Sequence, residues 1–178
     1  MNIKKFFINY ISPALAGIIC YFIISRFLLF QVRVPSMSMY PTIKPGDRIM
    51  VSVLHSQKNL HRGDIVVFNS KEENEYMIKR LIGLPGDDIN ITENGEVYIN
   101  NEKIDEPYVV YNGGPIGNFK VPDNCYFFMG DNRANSFDSR SWKNPYIQWK
   151  DIKGKAQIII YPFNRFKIGR ASCRERVS

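Results

Sequence analysis

Two hydroxyls, one lysine and one polar loop are the parts of this sequence whose types and spacing could do chemistry. Ser36 and Ser38 lie in Val34-Pro35-Ser36-Met37-Ser38-Met39-Tyr40-Pro41-Thr42, where prolines fix φ on either side and present the hydroxyls in a preset geometry. A serine hydroxyl is a weak nucleophile until a neighbouring base takes its proton. Histidine is the default base, and the chain has two. His55 follows a strand-like run in a polar stretch, and His61 abuts Arg62-Gly63; both contexts read as exposed loop. Lysine is the other route, provided burial lowers its pKa by several units from about 10.4. Lys79, in Met77-Ile78-Lys79-Arg80-Leu81-Ile82, has the apolar setting this requires, although alternation along a strand would equally turn it outward. The third segment, Met129-Gly130-Asp131-Asn132-Arg133-Ala134-Asn135-Ser136-Phe137-Asp138-Ser139-Arg140, is dense in hydrogen-bonding side chains.

The elements that must position these groups read as strands. Short runs rich in β-branched and aromatic residues at 48–54, 65–68, 77–82, 89–92, 97–99, 126–129 and 157–161 alternate with turn signals, an all-β pattern without sustained helical periodicity or tandem repeat. Gly46-Asp47, Gly63-Asp64 and Gly86-Asp87 each precede such a run, consistent with glycine supplying turn geometry. Glu93-Asn94-Gly95-Glu96 is the best hairpin signal, since Asn-Gly suits a type I′ turn.

The amino-terminal region differs. Phe6 to Ser25 carries no charge, and 20 residues at 1.5 Å rise span a hydrocarbon core of about 30 Å. Ala14-Leu15-Ala16 has the small-x-small look of a cleavage site but lies in mid-run, so an uncleaved transmembrane anchor is expected. Lys4 and Lys5 ahead of it place the amino terminus in the cytoplasm and the rest of the chain outside. The formal charge of +7 over 178 residues first allows nucleic acid or a lipid surface as partner. Lys4, Lys5, Arg26 and Arg33 lie in or beside the apolar segment, so the excess reads as lipid contact, with no support for nucleic acid. Three cysteines are too few for a disulfide scaffold, and two histidines exclude a multi-histidine metal site.

Taken together, these segments resemble the bacterial type I signal peptidases (leader peptidases), Ser/Lys-dyad serine proteases of the S26 family. The resemblance runs from the apolar segment to about Tyr161 and uses five boxes in order: Phe30-Gln31 through Pro35-Ser36-x-Ser38-Met39-x-Pro41-Thr42, then Gly46-Asp47-Arg48, Arg62-Gly63-Asp64-Ile65-Val66, Ile78-Lys79-Arg80 with Gly83-x-Pro85-Gly86-Asp87, and Gly130-Asp131-Asn132-Arg133 with Ser136-x-Asp138-Ser139-Arg140.

The resemblance implies an antiparallel β catalytic domain, shared with self-cleaving repressors, behind one transmembrane helix. Residues 1–30 would be the amino terminus and anchor, 31–166 the catalytic domain with a small hairpin insertion at 83–124, and 167–178 a non-native tail. It implies Ser38 as nucleophile, Lys79 as general base, Ser36 with the Ser38 N–H as oxyanion hole, and Ser136, Asp138 and Arg140 as support. Val34, Pro35, Met39, Met77 and Ile78 would bind substrate. The implied activity is removal of signal peptides from secreted preproteins after small residues at −1 and −3. It needs no metal or other cofactor and is carried out by a monomer at the cell membrane. The rival reading, a catalytically inactive relative that assembles surface pili, loses the serine or lysine, and both are present here.

Two positions depart from the family pattern. Ala134 stands where a carboxylate is common, and Met37 flanks the nucleophile where glycine is common. The tail after Phe166 can be reverse-translated into a sequencing-library adapter, so the native chain is expected to end or diverge there. With residues 168–178 go Arg170, Arg174 and Arg176 against one acid, Glu175, and also Cys173.

Overall fold

The computed structural model describes residues 7–165. Lys4, Lys5 and the suspected non-native tail lie outside the described residues. A π-helical turn, Phe7–Ile11, leads into helix α1, Ser12–Phe27. Eleven strands follow: β1 (Leu29–Arg33), β2 (Arg48–Val53), β3 (Ile65–Ser70), β4 (Glu75–Gly83), β5 (Asp88–Ile91), β6 (Val97–Ile99), β7 (Glu102–Lys103), β8 (Gly117–Lys120), β9 (Cys125–Met129), β10 (Ile147–Gln148) and β11 (Ile152–Tyr161).

The all-β expectation holds for the catalytic region, whereas the anchor is corrected. Among the described residues no helix is long and apolar enough to cross a membrane. Pro13 sits in the first turn of α1 and donates no backbone N–H to the turn before it. The helix proper is therefore 16 residues, about 24 Å at 1.5 Å per residue, short of a core of about 30 Å. At Leu29 the chain is already in β1. The single-pass topology, with a cytoplasmic amino terminus and the catalytic domain beyond the membrane, loses its basis with the anchor.

Seven strands form one antiparallel sheet in the order β1-β2-β11-β3-β4-β9-β10. Residues 83–124, expected as a hairpin, hold a second sheet of four strands in the order β7-β6-β5-β8. Alternation sorts the large sheet's side chains into separate cores. Ile65 and Val67 of β3 join Val34, Met39, Ile49 and Val51 in one, while Val66 and Phe68 join Leu81, Phe128 and Trp142 in another. A strand buried on both faces needs such an unbroken apolar run. Phe127 and Met129 of β9 point the other way, with Ile82, and meet Ile89, Val97 and Ile99 of the small sheet. Cys20 and Cys125 are both free.

The three Gly-Asp signals are one device used three times. Gly46, Gly63 and Gly86 have φ of 89°, 88° and 89°, the left-handed value that a type II turn requires at its third residue. In each turn the aspartate N–H donates to the carbonyl three residues earlier, and a carboxylate oxygen accepts that residue's N–H: Asp47 with Lys44, Asp64 with His61 and Asp87 with Leu84. Each aspartate then meets a cation from elsewhere, namely Arg165, Lys155 and Arg62.

The Asn94-Gly95 signal is a turn of another type. Only Gly95 has positive φ, and its N–H donates to the Thr92 carbonyl, so the loop is a three-residue one with glycine in the left-handed position. The two-residue hairpin turn between β6 and β7, Asn100-Asn101, has positive φ at both residues.

Candidate active site

The segment that leaves β1 is zipped to the first Gly-Asp turn, with the Val34 N–H donating to the Asp47 carbonyl and the Gly46 N–H to that of Val34. Two tight turns follow, Tyr40 N–H to Met37 O and Ile43 N–H to Met39 O, and Met39 anchors them in the core. This holds Ser38 almost fully buried while Ser36 stays exposed, their Oγ atoms 3.2 Å apart. From the other side Asn132 clamps the segment. Its N–H donates to the Ser38 carbonyl at 3.0 Å and its Nδ2 to that of Met37 at 3.2 Å.

Lys79 lies in β4, between β3 and β9, and is 3% exposed. The pairing of Arg80 with Met129 carries Lys79 alongside Gly130, and cross-strand neighbours share a face. Gly130 is the hinge of the site. A Cβ there would strike the Ser136 side chain and the Ser38 carbonyl oxygen. The missing side chain thus lets the Ser38 segment and Ser136 close over the position beside Lys79. Burial lowers the Lys79 pKa from 10.5 to about 8, assisted by the Arg140 charge and opposed by Asp138, Glu75 and Asp131.

Asp138 and Arg140 form a fully buried pair, with Nε and Nη2 of Arg140 donating to the carboxylate at 2.8 and 2.9 Å. The Gly130 N–H donates to Asp138 as well. Burial alone would push the Asp138 carboxyl up, but hydrogen bonds and charge from Arg140, with help from Gly130 and Ser136, hold it below its usual range. Ser136 Oγ is itself buried without a hydrogen-bond partner of normal geometry.

Beside the Ser38 and Lys79 segments an apolar groove of about 590 Å³ runs between β1 and β4, lined by Phe30, Val32, Val34, Pro35, Met77 and Ile78 among others. Four of the five expected substrate-binding residues are therefore at one place. Met39 is not among them, because it is wholly buried in the core beneath the Ser38 segment. Met37, the bulky neighbour of Ser38, is 43% exposed. Both histidines are exposed.

Sequence reasoning assigned no role to Gly130, Asn132, Arg80 or Asp131. Arg80 and Asp131 are the buried ion pair at the base of the site, and their signal was an arginine inside an apolar strand run. Glu106, Tyr111 and Gly114 lie in the irregular connection between β7 and β8, which carried no signal.

The family model described as "Signal peptidase, peptidase S26" matches residues 7–161. Signal peptidase I S of Bacillus subtilis is 35% identical over 177 residues, covering 92% of this chain and 94% of the relative. Signal peptidase I of Bacillus licheniformis is 34% identical over 178 residues, covering 93% and 95%. A crystal structure of a signal peptidase I from Enterococcus faecalis aligns with 30% identity over 56% of this chain and 98% of that one, at a TM-score of 0.48. On the length of the family match and the closeness of these relatives, the chain belongs to the signal peptidase family of hydrolases, peptidase S26.

Proposed function

We propose that the chain is a serine endopeptidase that releases signal peptides from secreted preproteins by a Ser38/Lys79 dyad. The observation that carries this is Lys79, buried and lowered to about 8, beside the glycine over which Ser38 and Ser136 converge. A lysine of that pKa is neutral often enough near pH 8 to take the Ser38 proton. The alkoxide attacks the carbonyl of the signal peptide's last residue. The Ser36 hydroxyl and the Ser38 N–H face the developing oxyanion, each contributing about 3–4 kcal/mol if it resembles measured donors. Protonated Lys79 returns its proton to the leaving amine. Water, deprotonated by Lys79, then hydrolyses the acyl-enzyme. The buried Ser136 hydroxyl is suited to orient the lysine amine.

The groove fits an extended peptide. Strand β1 is the edge of its sheet, so its free backbone groups can pair with an added strand. Shallow apolar walls at Val34, Pro35, Met77 and Ile78 suit small side chains at −1 and −3. The test is cleavage of a peptide panel varied at −1 and −3 by wild type, Ser38→Ala and Lys79→Ala. Cleavage after Ala-x-Ala, lost in both variants, is the expected result; activity retained in Lys79→Ala would remove the dyad.

A further inference from the structure

The small sheet ends on one edge at β7 and resumes on the opposite edge at β8, so residues 104–116 must cross from one edge to the other. The crossover touches the Ser38 and Lys79 segments through ring contacts and is hydrogen-bonded to the loop after β9. Tyr111 packs at a tilt of 38° against Tyr40, two residues beyond Ser38, with ring centroids 5.8 Å apart. The Tyr111 carbonyl accepts the Ala134 N–H at 3.1 Å, in the loop that carries Ser136. The Gly113 carbonyl accepts from Arg140 Nη1 at 2.7 Å, and Glu106 binds Arg133 through both carboxylate oxygens at 2.8 and 2.5 Å. Tyr108 lies flat on the Arg80 guanidinium, 3.8 Å from the cation to the ring centroid.

Two glycines make this approach possible. Gly113 and Gly114 have φ of 129° and 90°, values that other residues resist. A Cβ on Gly114 would lie 2.5 Å from Arg140 Nη1 and 2.7 Å from the Arg133 carbonyl oxygen. The crossover is anchored at its far side too, where Asn112 Nδ2 donates to the Asn94 carbonyl in the β5–β6 turn.

We propose that residues 104–116 are a positioning strap for catalysis, holding the nucleophile segment through Tyr111 and the base-supporting loop through Gly113, Gly114 and Glu106 at a fixed separation. The inference rests on the Ser38/Lys79 reading. It adds that the small sheet, through this strap, sets the geometry in which the two groups meet. Displacements of about 1 Å in such a constellation can lower rates about 100-fold. The strap also fixes Arg140, one of the charged groups around Lys79, the others being Asp138, Glu75 and Asp131. Pushing Arg140 away removes a cation and exposes Lys79 to a less neutralised Asp138, and both changes favour protonated lysine.

The experiment measures kcat, KM and the pH dependence of kcat/KM on a peptide with Ala at −1 and −3, using the full chain. Tyr111→Ala is half-exposed and leaves the core intact. It is expected to lower kcat about 10- to 100-fold with KM unchanged, and Tyr111→Phe to restore it. Glu106→Gln is expected to lower kcat likewise. Gly114→Ala is expected to move the acid limb to higher pH by about 0.5–1 unit; if it does not fold, the Tyr111 and Glu106 variants decide. Wild-type kcat in folded Tyr111→Ala and Glu106→Gln, with Ser38→Ala and Lys79→Ala inactive, overturns the strap and leaves the dyad standing. A loss that tracks only the folded fraction overturns it equally. Activity in Ser38→Ala or Lys79→Ala overturns both readings.

Discussion

Arg80 and Asp131 make a bidentate ion pair in which neither side chain has any exposure to solvent, with Nε–Oδ1 and Nη2–Oδ2 distances of 2.7 and 2.6 Å. The third guanidinium nitrogen donates to the Gly63 carbonyl, and Tyr108 covers the face. Each guanidinium nitrogen thereby donates one hydrogen bond, and β4, the Gly63 turn and the loop after β9 are locked to one another next to Lys79. Arg80→Ala strands a buried carboxylate and should cost about 3–5 kcal/mol. Urea unfolding of wild type and variant measures the difference.

The buried lysine works against the fold. With a pKa of about 8 in the folded chain and 10.5 as the reference, the unfolded chain binds more protons between those values, so stability rises with pH across that window. Below about pH 8 the full penalty applies, of order 3 kcal/mol at 1.4 kcal/mol per pKa unit. Lys79→Met, which keeps the stem and drops the amine, should therefore be inactive yet more stable at pH 7. The gain should shrink from pH 8 towards 10.5. Thermal melts at a series of pH values follow it, and a gain independent of pH would show that the amine carries no such strain.

Much of this arrangement was legible in the residues. The seven β-branched runs became β2, β3, β4, β5, β6, β9 and the second half of β11, because burial on one or both faces of a sheet writes itself as alternation or as an unbroken apolar run. Strand β1 was hidden in the tail of the apolar segment. The first half of β11 was missed because Lys153-Gly154-Lys155 interrupts the apolar signal, although Gly154 is small so that Ser52 can pass close by. Strands β7, β8 and β10 are short and carry at most one large apolar side chain each, too few for a pattern to show. The anchor was misread because apolar length and lack of charge measure hydrophobicity alone, and the chain leaves the helix after 16 residues. At the site, Lys79 and the Ser36/Ser38 pair could be picked out as types, and Ser136 only through the family resemblance. Their convergence on Gly130 is a property of register, which one sequence does not display.

That convergence makes Gly130 the most sensitive position that bears no functional group. An added methyl would meet the Ser136 Oγ and Cβ and the Ser38 carbonyl oxygen; the last is backbone fixed by Asn132 and cannot swing aside. Gly130→Ala should lower kcat about 100-fold or more and leave KM near wild type, since the groove lies along β1 and β4. Single-turnover acylation by a rapid-mixing assay separates this from a binding defect, which would appear in KM instead.

Arg165 closes the far side of the Ser38 segment. Its Nη1 donates to both Asp47 oxygens, at 2.7 and 2.5 Å, and its Nη2 to the carbonyl of Thr42 at 3.2 Å, four residues past Ser38. Asp47 is 2% exposed and also receives the Lys44 N–H, so removing the arginine leaves a buried carboxylate without its cation. A chain ended after Phe166 keeps this contact and should match the full chain in melting temperature and kcat. A chain ended after Asn164, or Arg165→Ala, should lose about 3 kcal/mol and lower kcat with it as the 34–47 segment loosens. Equal stability and activity in all three would mean that the Asp47 turn holds the nucleophile without Arg165. A drop already present in the Phe166 chain would mean that residues beyond 166 belong to the working protein.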